Sequence, residues 1–251
     1  MATEPLIVIG TPCYGTPDTA SVSAAYHMAV ANLVRDSHFR LLPAVYGCDL
    51  VRGRSRLVRQ FLETRATHLL FWDEDISLTA EHAGRLIARM VEADHAFVAC
   101  TYPKKKLQIC RAIRALGEAT AEELRHRAVV DALYDYAYRS ETSHPCVRGC
   151  VEVDGLPLGF ALATRDMLAT MVDRYRGTLG FGDVVDGVTT PTVALFQLVI
   201  DDGRLLGEDY SFSRRWRDIG GACQLYVGAD CELVHIGKHA FEASRGGYAA
   251  R

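Results

Sequence analysis

Asp73-Glu74-Asp75 directly follow the apolar run His68-Leu69-Leu70-Phe71-Trp72. Three adjacent acids at the end of a buried strand repel one another and lose solvation, and a divalent cation removes that cost. Carboxylate oxygens are the ligands that Mg²⁺ and Mn²⁺ prefer. In an extended segment side chains alternate, so Asp73 and Asp75 are expected to point the same way. One would then hold the metal and the other a ribose or a metal-bound water. A solvated acidic turn that caps the following helix is the simpler account of the same three residues.

Glu208-Asp209 is a second acidic pair, opening a segment with Phe212, Trp216 and several arginines. Acids in a first helical turn complement the helix dipole. The alternative is a catalytic carboxylate set against an acceptor hydroxyl. His235 follows Leu233-Val234 and is a candidate metal ligand, because the upstream acids leave coordination positions open. A purely structural histidine is the other reading. Lys238, three residues on, could approach a diphosphate. Arg52, Arg54, Arg56 and Arg59 form a cluster suited to bidentate phosphate contact. On a helix Arg52, Arg56 and Arg59 share one face and Arg54 takes another. Lys104-Lys105-Lys106, with Arg111 and Arg114, make a second basic stretch after a strand.

The elements that must position these residues are legible from patterning. Leu6–Gly10, Phe39–Val45, His68–Trp72 and Ala96–Cys100 read as strands, and Ser21–Arg35, Arg54–Thr64 and Ala80–Ala93 as helices. This alternation predicts an α/β fold with a mixed, mostly parallel sheet and helices on both faces. Such sheets bind ligands at the carboxyl ends of their strands. Thr11-Pro12-Cys13-Tyr14-Gly15, Asp73-Glu74-Asp75 and Tyr102-Pro103-Lys104 all fall at such ends. Further on, Glu118–Arg139 reads as a helix and Val151–Leu162 as a strand and a turn. Phe181–Thr190 reads as a glycine-rich loop, Thr192–Ile200 as a strand and Glu208–Arg217 as a helix closed by Gly220-Gly221. Without repeats or a low-complexity linker, 1–251 is expected to be a single domain, with lobes at about 1–115 and 116–251.

Bulk properties exclude several classes. A net charge of −3 supplies no global field for nucleic acid or an anionic membrane. Eight cysteines without a C-x-x-C pair suit reduced thiols. The chain opens without a signal peptide pattern, and no run approaches the roughly 20 apolar residues of a membrane span, so a cytoplasmic location is expected. The phosphate loop, the G-x-G-x-x-G turn and the G-x-S-x-G elbow are all missing.

Seven segments, taken in order, resemble a known family. They are Ile9–Gly15, Leu50–Leu57, Thr67–Ile76, Tyr102–Lys105, Gly159-Phe160, Gly207–Phe212 and His235–Gly237. Together they are similar to GT-A glycosyltransferases, of the family 2-like and Anp1-like type found in phage and bacterial genomes. The resemblance runs from about residue 6 to 241. It implies a GT-A, Rossmann-like fold that moves a sugar from a UDP- or GDP-linked donor to an acceptor hydroxyl. Asp73 and Asp75 would be the D-x-D pair carrying Mn²⁺ or Mg²⁺, with His235 completing the metal site. Thr11, Pro12 and Tyr14 would border the nucleotide base. Arg54, in Gly53-Arg54-Ser55, would match the arginine of the family's A-R-N motif near the nucleotide. Asp209 or Glu208 would be the base of an inverting enzyme. The acceptor could be a glycan, a small molecule or a hydroxymethylated DNA base. The competing expectations are a sugar-phosphate nucleotidyltransferase and a non-catalytic module that binds nucleotide-sugar or nucleic acid.

Overall fold

Apolar runs too short for helices build the centre of the protein. A computed structural model of the chain describes residues 5–13, 20–36, 38–42, 45–46, 49–118, 132–237 and 240–242. Seven strands form one sheet: β1 Ile7–Gly10, β2 Phe39–Leu41, β3 His68–Trp72, β4 Phe97–Cys100, β5 Cys150–Val153, β6 Phe160–Thr164 and β7 Cys223–Tyr226. Their order is β5-β7-β4-β6-β3-β1-β2. β1 runs parallel to β2 and β3, and β4 parallel to β7. β6 lies antiparallel between β3 and β4, and β5 antiparallel on β7. The sheet is therefore mixed but largely parallel, and the carboxyl ends of β1, β3 and β4 share one edge.

Helices cover both faces, which is why β1 and β4 are apolar at every position. Among the described residues the helices are α1 Ala20–Leu33, α2 Leu50–Glu63, α3 Ala80–Glu92, α4 Ile109–Glu118, α5 Arg165–Leu179 and α6 Glu208–Asp218. Alternation along β3 divides its side chains between two cores. Leu70 and Trp72 pack with Tyr26 and Val30 of α1 and Leu86 and Met90 of α3. Leu69 and Phe71 pack with Leu57 and Phe61 of α2, Leu168 of α5 and Phe212 of α6. No helix among the described residues is long and apolar enough to cross a membrane.

Several expectations change. α2 begins four residues before Arg54, because the Asp49 side chain caps it by accepting from the Arg52 amide at 2.9 Å. Tyr134–Tyr136 is a strand rather than helix, held against Pro103–Leu107 by antiparallel pairing. Residues 119–131 lie outside the described residues. The segment expected to be a loop is a hairpin, Gly180–Val185 on Val188–Val193. Asp186 (φ 50°) and Gly187 (φ 79°) make its two-residue turn, the left-handed pair that matches strand twist. The strand expected over 192–200 ends at Val193, and Leu195 and Phe196 enter the core from irregular chain. Helices α4 and α5 were not anticipated.

Phe212 ties α6 to the sheet. Its ring lies 4.5 Å from that of Phe196, 5.3 Å from Phe97 and 6.3 Å from Phe71. Phe212→Ala is expected to cost about 3–5 kcal/mol in denaturant unfolding, the size of a large aromatic cavity.

Candidate active site

The strand-end acids do not continue β3. Asp73 O accepts from the Ile76 amide at 3.0 Å, so residues 73–76 form a turn. The expected extended alternation fails here, and Asp73 and Asp75 part company. Asp73 turns to Arg54, whose Nη2 donates to its Oδ1 and Oδ2 at 3.1 and 2.9 Å. Among the described residues, no three or more His, Cys, Asp or Glu side chains meet closely enough to hold a metal ion. Asp73, Asp75 and His235 thus do not form one ligand set.

Arg54 is the centre of one half of the site. Its side chain is only 1% exposed. Besides Asp73, its Nη1 donates to Glu208 Oε1 at 3.0 Å and to Asp209 Oδ1. Arg54 is therefore enclosed by carboxylates rather than presented to a phosphate. α6 supplies the two acids from its first turn, where Gly207 is the N-cap. Asp209 Oδ2 also accepts from the Leu158 amide at 3.2 Å. Asp73, Glu208 and Asp209 each keep about a quarter of the side chain exposed (23, 24 and 23%), so a ligand can reach them. Burial pushes the Asp209 carboxyl up to about 7, against the pull of Arg54 and with help from Glu208 and Asp73. Burial likewise raises Asp73. The three carboxylates hold the guanidinium protonated in spite of its burial.

The other half is built around Asp75. Val234–Ile236 pairs antiparallel with Ile76-Ser77, setting His235 opposite Ile76. The Ile236 amide donates to Asp75 O at 2.8 Å. His235 Nε2 then stands 3.5 Å from Asp75 Oδ2, while its Nδ1 is 2.8 Å from Pro103 O. A carbonyl can only accept, so Nδ1 carries a proton and the ring is held with Nε2 facing Asp75. The Tyr102 ring packs edge-on at 4.9 Å from the imidazole, and the Tyr102 hydroxyl accepts from the Gly159 amide at 3.1 Å. Lys105 Nζ donates to the same Asp75 Oδ2. Burial alone would raise the Asp75 carboxyl, but His235 and Lys105 bring it below the usual range.

A carboxylate oxygen and an imidazole nitrogen fit a small divalent cation whose other positions go to substrate phosphates and water. Asp75 and His235 are the pair that would hold it. Thr11, by contrast, is buried and spends its hydroxyl on that of Tyr26, and Pro12 is buried beside it. Tyr14 and Lys238 lie outside the described residues. Lys105 stood in the sequence only as one of three lysines. Its strand, Pro103–Leu107, pairs with Tyr134–Tyr136 through a shift in register, so plain alternation does not single it out.

Two predictions follow from the Arg54 half. Arg54→Met should cost about 3–5 kcal/mol in denaturant unfolding, because it leaves carboxylates packed together without their counter-charge. The Asp209 carboxyl rises from its ordinary 3.8 to about 7 on folding, so the folded state binds the extra proton. That contribution to stability is complete below about pH 4 and is lost as pH climbs through about 7. Asp209→Asn should flatten this part of the stability–pH curve, read by urea unfolding between those limits.

In fold, the chain is similar to A197 from STIV, with a TM-score of 0.51 and 16% sequence identity over 95% of this chain and 91% of that one. No family model and no curated protein matches the chain. The likeness is one of fold and agrees with the mixed α/β, Rossmann-like arrangement described above.

Proposed function

We propose that the protein is a glycosyltransferase of the GT-A type, which moves a sugar from a nucleotide diphosphate donor to an acceptor hydroxyl with the aid of Mn²⁺ or Mg²⁺. The observation that carries this reading is the meeting of Asp75 with His235 just past the strand end whose Asp73 is joined through Arg54 to Asp209. The two halves suit the two ends of such a reaction. Breaking the bond between the anomeric carbon and the diphosphate oxygen leaves negative charge on the diphosphate and positive charge on the sugar ring. A cation held by Asp75 and His235 would supply charge for the departing diphosphate. Asp209 accepts the proton of the acceptor hydroxyl as its oxygen bonds to the anomeric carbon. Arg54 fixes Asp209 and Asp73 in place, and Glu208 and Asp73 lend negative charge near the ring. The likeness in fold to A197 from STIV is compatible with this reading. The acceptor hydroxyl belongs to a glycan, a small molecule or a hydroxymethylated DNA base.

Turnover of UDP- and GDP-sugars is expected with Mn²⁺ and to vanish in EDTA. Asp75→Ala should lose the Mn²⁺ response, and Asp209→Asn should lower kcat by about 10²–10⁴-fold. In an inverting reaction the wild-type kcat/KM rises with pH through about 7, the Asp209 value. Full metal-independent activity in Asp75→Ala would overturn the role of the cation. Release of pyrophosphate from a nucleoside triphosphate and a sugar phosphate would point to nucleotidyl transfer instead.

A further inference from the structure

Three lysines stand in a row on the strand Pro103–Leu107, all exposed, and Lys105 is the one joined to Asp75. Its ammonium donates to Oδ2, the oxygen that also faces His235 Nε2. A cation shared by Asp75 and His235 needs that oxygen. An ammonium and a dication cannot both occupy it, since their charges repel at contact distance. The strand is thus tied to the cation position twice: Pro103 O orients the imidazole, and Lys105 covers the carboxylate. Lys105 is 37% exposed on a flexible four-carbon stem, so it can leave without disturbing the strand.

We propose that Lys105 is an exchangeable counter-ion, neutralising Asp75 while the cation is absent and passing to a diphosphate oxygen when cation and donor bind. This rests on the reading that Asp75 and His235 hold a cation. It follows that the bare metal binds weakly and that the diphosphate completes its binding. A lysine that must leave lowers the affinity for metal alone, and the same lysine, once freed, adds a charge-assisted hydrogen bond to the diphosphate.

The test is calorimetric titration of the full chain with Mn²⁺ alone, and then of the Mn²⁺-saturated protein with inorganic pyrophosphate. Lys105→Gln is compared with wild type, with Lys104→Gln and Lys106→Gln as controls for general charge, and with Asp75→Asn. Melting temperatures verify that each variant folds. Lys105→Gln is expected to bind Mn²⁺ about three- to fivefold tighter, the scale of a partly exposed ion pair, while each control stays within about twofold. Pyrophosphate should bind Mn²⁺-loaded Lys105→Gln about fivefold more weakly or worse, through loss of that hydrogen bond. Unchanged or weaker Mn²⁺ binding by Lys105→Gln, an equal gain in either control, or unchanged pyrophosphate binding overturns the proposal. If wild type binds Mn²⁺, Asp75→Asn abolishes it and Lys105→Gln leaves it unchanged, only the counter-ion role falls. If neither wild type nor Lys105→Gln binds Mn²⁺, the cation reading falls and takes this role with it.

Discussion

Burying a guanidinium is tolerable only where carboxylates follow it inside, and Arg54 meets that condition with three of them. The charge sits on α2, the partners on the turn after β3 and on the first turn of α6. Satisfying it therefore fixes how α2 and α6 lie against the strand end, and the aromatic packing of Phe212 holds α6 from the other side. Electrostatics and core packing thus agree on one placement of Asp209. Such agreement is what keeps a carboxyl with a raised pKa from swinging out to water.

The cluster carries more acid than base. Asp73, Asp75, Glu208 and Asp209 are set against Arg54 and Lys105, four carboxylates to two cationic side chains. An excess of this kind is relieved by taking up protons or by taking up a cation. The raised carboxyls of Asp209 and Asp73 are the first response. At Asp75 the second is met by the Lys105 ammonium, which with His235 holds that carboxyl below the usual range.

Much of the architecture was legible because it depends on neighbours in sequence. The apolar runs of β1, β3 and β4, the amphipathic α3 and the acid-led α6 were anticipated within a few residues. The hairpin at Asp186-Gly187 carried a readable turn signal that an emphasis on its glycines obscured. Tyr134–Tyr136 depends on a distant partner strand, which local pattern does not reveal.

Residue types and their order by themselves determined that acids end the central strand, that a second acidic pair opens a late helix and that a histidine follows an apolar stretch near the end. Only the tertiary structure decided who meets whom. Arg54 reaches acids 154 and 155 positions away, Asp73 leaves Asp75 at a tight turn, and Lys105 rather than its neighbours takes the Asp75 oxygen. Local periodicity sets which face a side chain occupies. The partner across the cleft is set by chain crossings and by the cost of leaving a buried charge unpaired, and both exist only once the chain has folded.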